Sequence, residues 1–128
     1  MTANVIGRLA EVAVTQPDIQ ALYVFGSQAN GTARPDSDVD VGILYTSPQP
    51  LERTLALQAD FEHAVGCPVD VVDAARAGAF LALDIIRGER IFCRDATVVD
   101  RFDLYVLRRA GDLLPFERQR QALLGLRG

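Results

Sequence analysis

The chain has 128 residues, 49% of them apolar, and a formal net charge of −4. That is enough apolar material for one domain with a real core, and it excludes wholesale disorder. All 13 basic residues are arginine, against 17 acidic ones; this balance argues against gripping long nucleic acid through its phosphates and leaves a single nucleotide open as a ligand.

In chain order, Thr2 is placed to cap a first helix over 3–15, with Val5, Leu9, Val12 and Ala13 on one face. Pro17-Asp18 ends it. The run 20-QALYVFG-26 is short, aromatic and β-branched, which suits a buried strand. Residues 27–37 carry Gly31 and Pro35 and read as a turn or a single helical turn. Next, 38-DVDVGILYT-46 alternates, with Val39, Val41 and Ile43 pointing one way and Asp38, Asp40 and Gly42 the other. A helix is predicted over 49–65, with Pro50 in its first turn and Gly66 closing it. A third strand, 68-PVDVVD-73, a helix over 77–87 ending at Gly88, and a fourth strand, 90-RIFCR-94, follow. From Thr97 the pattern is helical to Arg109, with Gly111 and Pro115 expected to interrupt it before a short terminal helix. The expectation is an α/β or α+β layer fold: a small mixed sheet flanked by helices, in one domain over 1–128. The excess of apolar residues over 97–128 is expected to serve both core closure and partner binding.

Asp38 and Asp40 are the chemically informative pair. Residues i and i+2 of a strand share a face, so both carboxylates project together where the strand begins. Two carboxylates at that range repel, and a hard divalent ion such as Mg²⁺ is the natural neutraliser, because it takes oxygen ligands and leaves room for phosphate. Asp70 sits the same way in its strand, with Val69 and Val71 on the core side. If the two strands are neighbours, three carboxylates meet, enough for two metal ions clamping a phosphoryl transfer. Gly26-Ser27 ends the preceding strand with backbone amides and a hydroxyl suited to phosphate.

Gly26-Ser27, ten residues, then Asp38-Val39-Asp40 resembles the signature of the polymerase-β-like nucleotidyltransferase superfamily. The fuller stretch GSQANGTARPDSDVDVGIL looks like the minimal nucleotidyltransferases, many of them antitoxins of HEPN-domain toxins. The resemblance implies a nucleotidyltransferase fold with Asp38, Asp40 and Asp70 ligating two Mg²⁺ ions, and Gly26 and Ser27 holding the phosphates of ATP. Arg34 is a further candidate for the triphosphate, since Gln28 and Asn30 stand where arginines are common in the family. It implies AMP transfer to a hydroxyl, a tyrosine of the toxin, in a hetero-oligomer with that toxin and with no direct nucleic-acid contact. Two other readings stand beside it: an antitoxin that neutralises by association alone, and a nucleotidyltransferase acting on a small hydroxylated compound such as an antibiotic.

Of the remaining residues, Cys67 and Cys93 lack metal spacing and read as small apolar side chains in a reducing compartment. His63 reads as solvated. Arg76, Arg87, Arg90 and Arg94 read as edge protection and rim charge. No window approaches a membrane span, and MTANVIGRLAEVAVTQ shows no signal peptide, so the expected location is the cytoplasm.

Overall fold

Among the described residues, four helices and four strands follow one another as α1 (Ala3–Thr15), β1 (Ile19–Phe25), β2 (Val39–Tyr45), α2 (Leu51–Val65), β3 (Val69–Asp73), α3 (Ala79–Arg87), β4 (Glu89–Cys93) and α4 (Ala96–Leu124). This is a computed structural model, and it describes residues 3–26 and 38–124, with side chains over 4–26 and 38–112. Thr2, named above as a helix cap, and the turn over 27–37 lie outside the described residues. No helix among the described residues is long and apolar enough to cross a membrane.

The sheet has the order β3-β2-β1-β4. β1 runs antiparallel to β2 and to β4, while β2 and β3 are parallel. A parallel pair needs a crossover, and α2 supplies it. The mixed sheet flanked by helices is therefore the expected fold. Its two faces carry separate clusters. Leu22, Val24, Val39, Val41 and Ile43 face Leu9 and Ala13 of α1 and Leu57 and Phe61 of α2. Ala21, Tyr23, Phe25 and Leu44 face Ala82 and Ile85 of α3 and Val99 and Val106 of α4. The alternation in β2 thus sends its valines to the α1/α2 layer, each fully buried aliphatic side chain contributing roughly 1.5–3 kcal/mol. Gly42 alternates onto the other face, where a Cβ would lie 2.5 Å from Ile85 Cγ2. The missing side chain is what lets α3 lie this close to β2.

β3 is an edge strand, and α2 covers its open side with side-chain acceptors. The Val69 N–H donates to Glu62 Oε2 at 3.0 Å and the Val71 N–H to Gln58 Oε1 at 3.2 Å. Gln58 and Glu62 are one helical turn apart, the spacing that matches alternate residues of a strand. They occupy donors that another strand would otherwise recruit.

The opposite side of the sheet is tied to α4 by a partly buried polar cluster. Tyr23, 1% exposed, donates its hydroxyl to Asp103 Oδ1 at 2.7 Å. Arg90, the register partner of Tyr23, donates to Asp103 Oδ2 at 2.6 Å and to Asp100 Oδ1 at 3.0 Å. Burial first, then the Asp103 carboxylate, push the Tyr23 phenol above its ordinary range, so it stays a donor. Tyr23→Phe is expected to lower stability by about 1.5–3 kcal/mol, the worth of a hydrogen bond to a charged group. Chemical denaturation checks this, and an unchanged midpoint contradicts it.

Three expectations need correction. α4 is continuous from Ala96 to Leu124, with no break at Gly111 or Pro115. Glycine inside a helix costs only about 1 kcal/mol, and a proline removes one ladder bond without preventing the ladder from resuming. Arg90 is not free rim charge, because it is paired with Asp100 and Asp103. Arg94 likewise donates to the Ile19 and Gln16 carbonyls and lies over the Phe92 ring. Arg76 pairs with Asp73 at 3.6 Å, while Arg87 and His63 are exposed. Cys67 and Cys93 are free and half-buried rather than fully enclosed.

Candidate active site

The pairing register places the carboxylates. In the parallel β2–β3 pair, Asp40 lies directly opposite Asp70, between the flanking pairs Val39–Val69 and Val41–Val71. Aligned residues of adjacent strands project to the same face, here the one carrying α3 and α4. Asp38 stands just ahead of β2, two residues from Asp40 and on that same side of the pleat. Asp38 and Asp70 are exposed, and Asp40 is half-buried between them.

Phe25 pairs with Asp40, so the end of β1 delivers Gly26 to the same place. Gly26 has φ 75°, and a Cβ there would lie 2.6 Å from Asp40 Oδ2. Both facts call for glycine: the backbone is left-handed, and the carboxylate fills the space a side chain would take. Gly26 thus follows β1 beside a negative group, with its backbone uncovered by a side chain.

The electrostatics follow from this crowding. Burial raises the Asp40 carboxyl above its ordinary pKa, and the charges of Asp70 and then Asp38 raise it further. Among the described residues, none of the influences acting on Asp40 comes from a cation. Three crowded oxygen-only donors, uncompensated by any cation among the described residues, are the chemistry a hard divalent cation requires, so the donor set fits Mg²⁺. Among the described residues no group of three His, Cys, Asp or Glu forms a ready-made cage. Mg²⁺ does not demand one, since it keeps several waters and is usually held by one or two carboxylates together with substrate phosphates.

Of the six residues singled out from the sequence, the structure brings together Asp38, Asp40, Asp70 and Gly26. Ser27 and Arg34, like Gln28 and Asn30, lie outside the described residues. Two clefts of ≈ 280 and ≈ 380 Å³ share Asp73 and Arg76. They flank the other end of β2 and β3, where Tyr45 and Asp73 stand, and take no part in the carboxylate site. What the sequence did not reveal is the fit of Gly26 against Asp40, for which the signal is the glycine itself, and the Tyr23–Asp103 bond, whose partners are 80 residues apart.

Comparison with known proteins gives a consistent picture. Residues 8–97 match the family model described as Polymerase beta, Nucleotidyltransferase. No curated protein sequence matches the chain. Among solved structures, a chain of a toxin–antitoxin crystal structure with AMP-PNP superposes with a TM-score of 0.78 at 20% identity, covering 94% of this chain and 95% of that one. A chain of the toxin–antitoxin MntA–HepT structure gives 0.68 at 18% identity, with 94% of each chain covered. A chain of the tri-AMPylated Shewanella oneidensis HEPN toxin in complex with MNT antitoxin gives 0.69 at 17% identity, covering 94% and 93%. At these identities the likeness is one of fold.

Proposed function

We propose that this chain, which belongs to the polymerase beta nucleotidyltransferase family, is a minimal nucleotidyltransferase that transfers AMP from ATP to a hydroxyl of a HEPN-domain toxin and thereby acts as its antitoxin. The observation that carries the reading is the meeting of Asp38, Asp40 and Asp70 beside Gly26, with the half-buried Asp40 raised in pKa by burial and by its two acidic neighbours. The family gives the reaction class. The fold likeness to chains from toxin–antitoxin structures, one with AMP-PNP and one with an AMPylated HEPN toxin, supports the partner.

In the proposed site Asp38, Asp40 and Asp70 would hold two Mg²⁺ ions. When bound, the ions neutralise the triphosphate and stabilise charge on the entering and leaving oxygens. Asp70, exposed at the level of Asp40, accepts the proton of the acceptor hydroxyl, which we take to be a tyrosine. The acceptor oxygen bonds to the α-phosphorus, the bond to the β-phosphate oxygen breaks, and pyrophosphate leaves. The Gly26 backbone, Ser27 and Arg34 hold the triphosphate tail. Most of the rate gain is then positioning and charge stabilisation. An added AMP places bulk and negative charge on the toxin, which repels RNA. ATP supply and a reducing setting fit a cytoplasmic protein.

The test is incubation with labelled ATP, Mg²⁺ and the protein encoded beside this one. Label on that partner, absent with Asp38→Asn and with Asp40→Asn, is the expected result. Toxin neutralised equally well by both variants, with no label moved, shows association without catalysis and overturns the proposal.

A further inference from the structure

Among the described residues, the outer stripe of α4 is covered by no other element of the fold. Val99, Val106 and Ala110 are buried and fix the inward side of the helix. At the helical period, positions 101, 105, 108 and 112 form one line on the opposite side, with 104 beside it. All five residues are exposed, Leu104 at 53% and Tyr105 at 56%. Leu107 and Val98, at 48% and 42%, widen the apolar area to either side. Among the described residues, Arg101, Arg108 and Asp112 enter none of the ion pairs. An apolar centre with unpaired charges around it is the composition of a recognition surface rather than of a solvated helix face.

The order of charges along the stripe selects the occupant. It reads Arg101, Tyr105, Arg108, Asp112. We propose that this stripe is an isologous interface for a second copy of the chain, packed antiparallel about a two-fold axis between Val106 and Leu107. In that register Arg101 faces the second copy's Asp112, and Tyr105 faces the second copy's Arg108. Each contact occurs twice, as two-fold symmetry requires. The first is an ion pair, and the second sets a guanidinium over a phenol ring. Leu104 packs between them and leaves water. Sliding by one turn in one direction sets Arg101 against Arg108, and in the other sets Arg108 against its own copy. Like charges therefore reject both neighbouring registers. The site carboxylates of β2 and β3 are not part of the stripe, so the interface is independent of the proposed catalysis.

The experiment is sedimentation equilibrium over a concentration series, with four proteins: wild type, Arg101→Asp, Asp112→Arg and the double variant. Thermal melts monitor folding, which these exposed substitutions leave intact. A Leu104→Glu variant tests the apolar centre separately. The expected result is a wild-type dimer, weakened by about tenfold or more in Kd by each single variant and by Leu104→Glu. The double variant restores the dimer, because the exchanged charges again face each other in both contacts. A wild type that stays monomeric at every concentration overturns the proposal. So does a double variant no better than the singles. A stripe that instead takes up the toxin, with the wild type monomeric alone and toxin binding lost in Leu104→Glu, also overturns it.

Discussion

Asp40→Asn is expected to abolish nucleotidyl transfer while raising the melting temperature of the metal-free protein at neutral pH. The loss of activity follows from removing the central ligand of the proposed charge-stabilising site and is on the order of a thousandfold or more. The gain in stability follows from the same crowding. Asp40 has a folded-state pKa above the ordinary 3.8, with burial the largest cause and the charges of Asp70 and Asp38 next. A raised acid pKa means that Asp40 contributes stability below the unfolded value, and that this contribution is lost as pH rises through the folded value. At neutral pH the fold therefore bears a cost at Asp40, and asparagine of nearly the same shape removes it. Added Mg²⁺ reverses the comparison, because a ligand that binds only the folded state stabilises it. Wild type is then expected to gain melting temperature with Mg²⁺, and the variant to gain much less. A variant less stable than wild type without metal, and equally responsive to Mg²⁺, contradicts the account.

Gly26→Ala is expected to reduce transfer by about a hundredfold, within the range known for losing one well-placed charge-stabilising contact. It should also lower stability by roughly 1–2 kcal/mol, the cost of a left-handed conformation for a residue with a Cβ. Gly66 provides the control, because its φ of 74° nearly equals the 75° of Gly26, yet a Cβ at Gly66 meets nothing within 4 Å. Gly66→Ala bears the backbone strain alone, since it closes α2 and a Cβ there touches no carboxylate. At Gly26 the new methyl also displaces Asp40 Oδ2, which would lie 2.6 Å away. Similar losses of stability with activity lost only in Gly26→Ala are the expected pattern, read by denaturation and initial rates. Equal activities in the two variants contradict the role given to Gly26.

Much of this arrangement was legible because it depends on short-range periodicity. The alternation through Val39, Val41 and Ile43 told which face of β2 enters the core, and Asp40 went to the other face by the same rule. Gly66 and Gly88 marked helix ends correctly, because a helix terminus is a local event. The parallel neighbour of β2 was only conditional, since strand order depends on how the crossover packs. It is the register Asp40–Asp70 that turned two separate aspartates into one site. Long-range pairs left no trace in the sequence. Arg90 and Arg94 looked like rim charge because Asp103 and the carbonyls of Gln16 and Ile19 come near them only in the folded chain. Nothing local in the sequence marked Gln58 and Glu62 as acceptors for the outer N–H groups of β3, which only the folded chain brings against them. α4 was misjudged for another reason, as Gly111 and Pro115 weaken a helix locally while burial of Val99, Val106 and Ala110 anchors the turns before them.

Diffraction from crystals grown with Mn²⁺ and a non-hydrolysable ATP analogue addresses the central claim most directly, since Mn²⁺ takes the oxygen ligands of Mg²⁺ and reveals itself by anomalous scattering. The account requires anomalous density bounded by the carboxylates of Asp38, Asp40 and Asp70, with the triphosphate running along the backbone at Gly26. Nucleotide seated in the clefts at Asp73 and Arg76, or Mn²⁺ density that leaves Asp70 uncoordinated and turned to solvent, would contradict it.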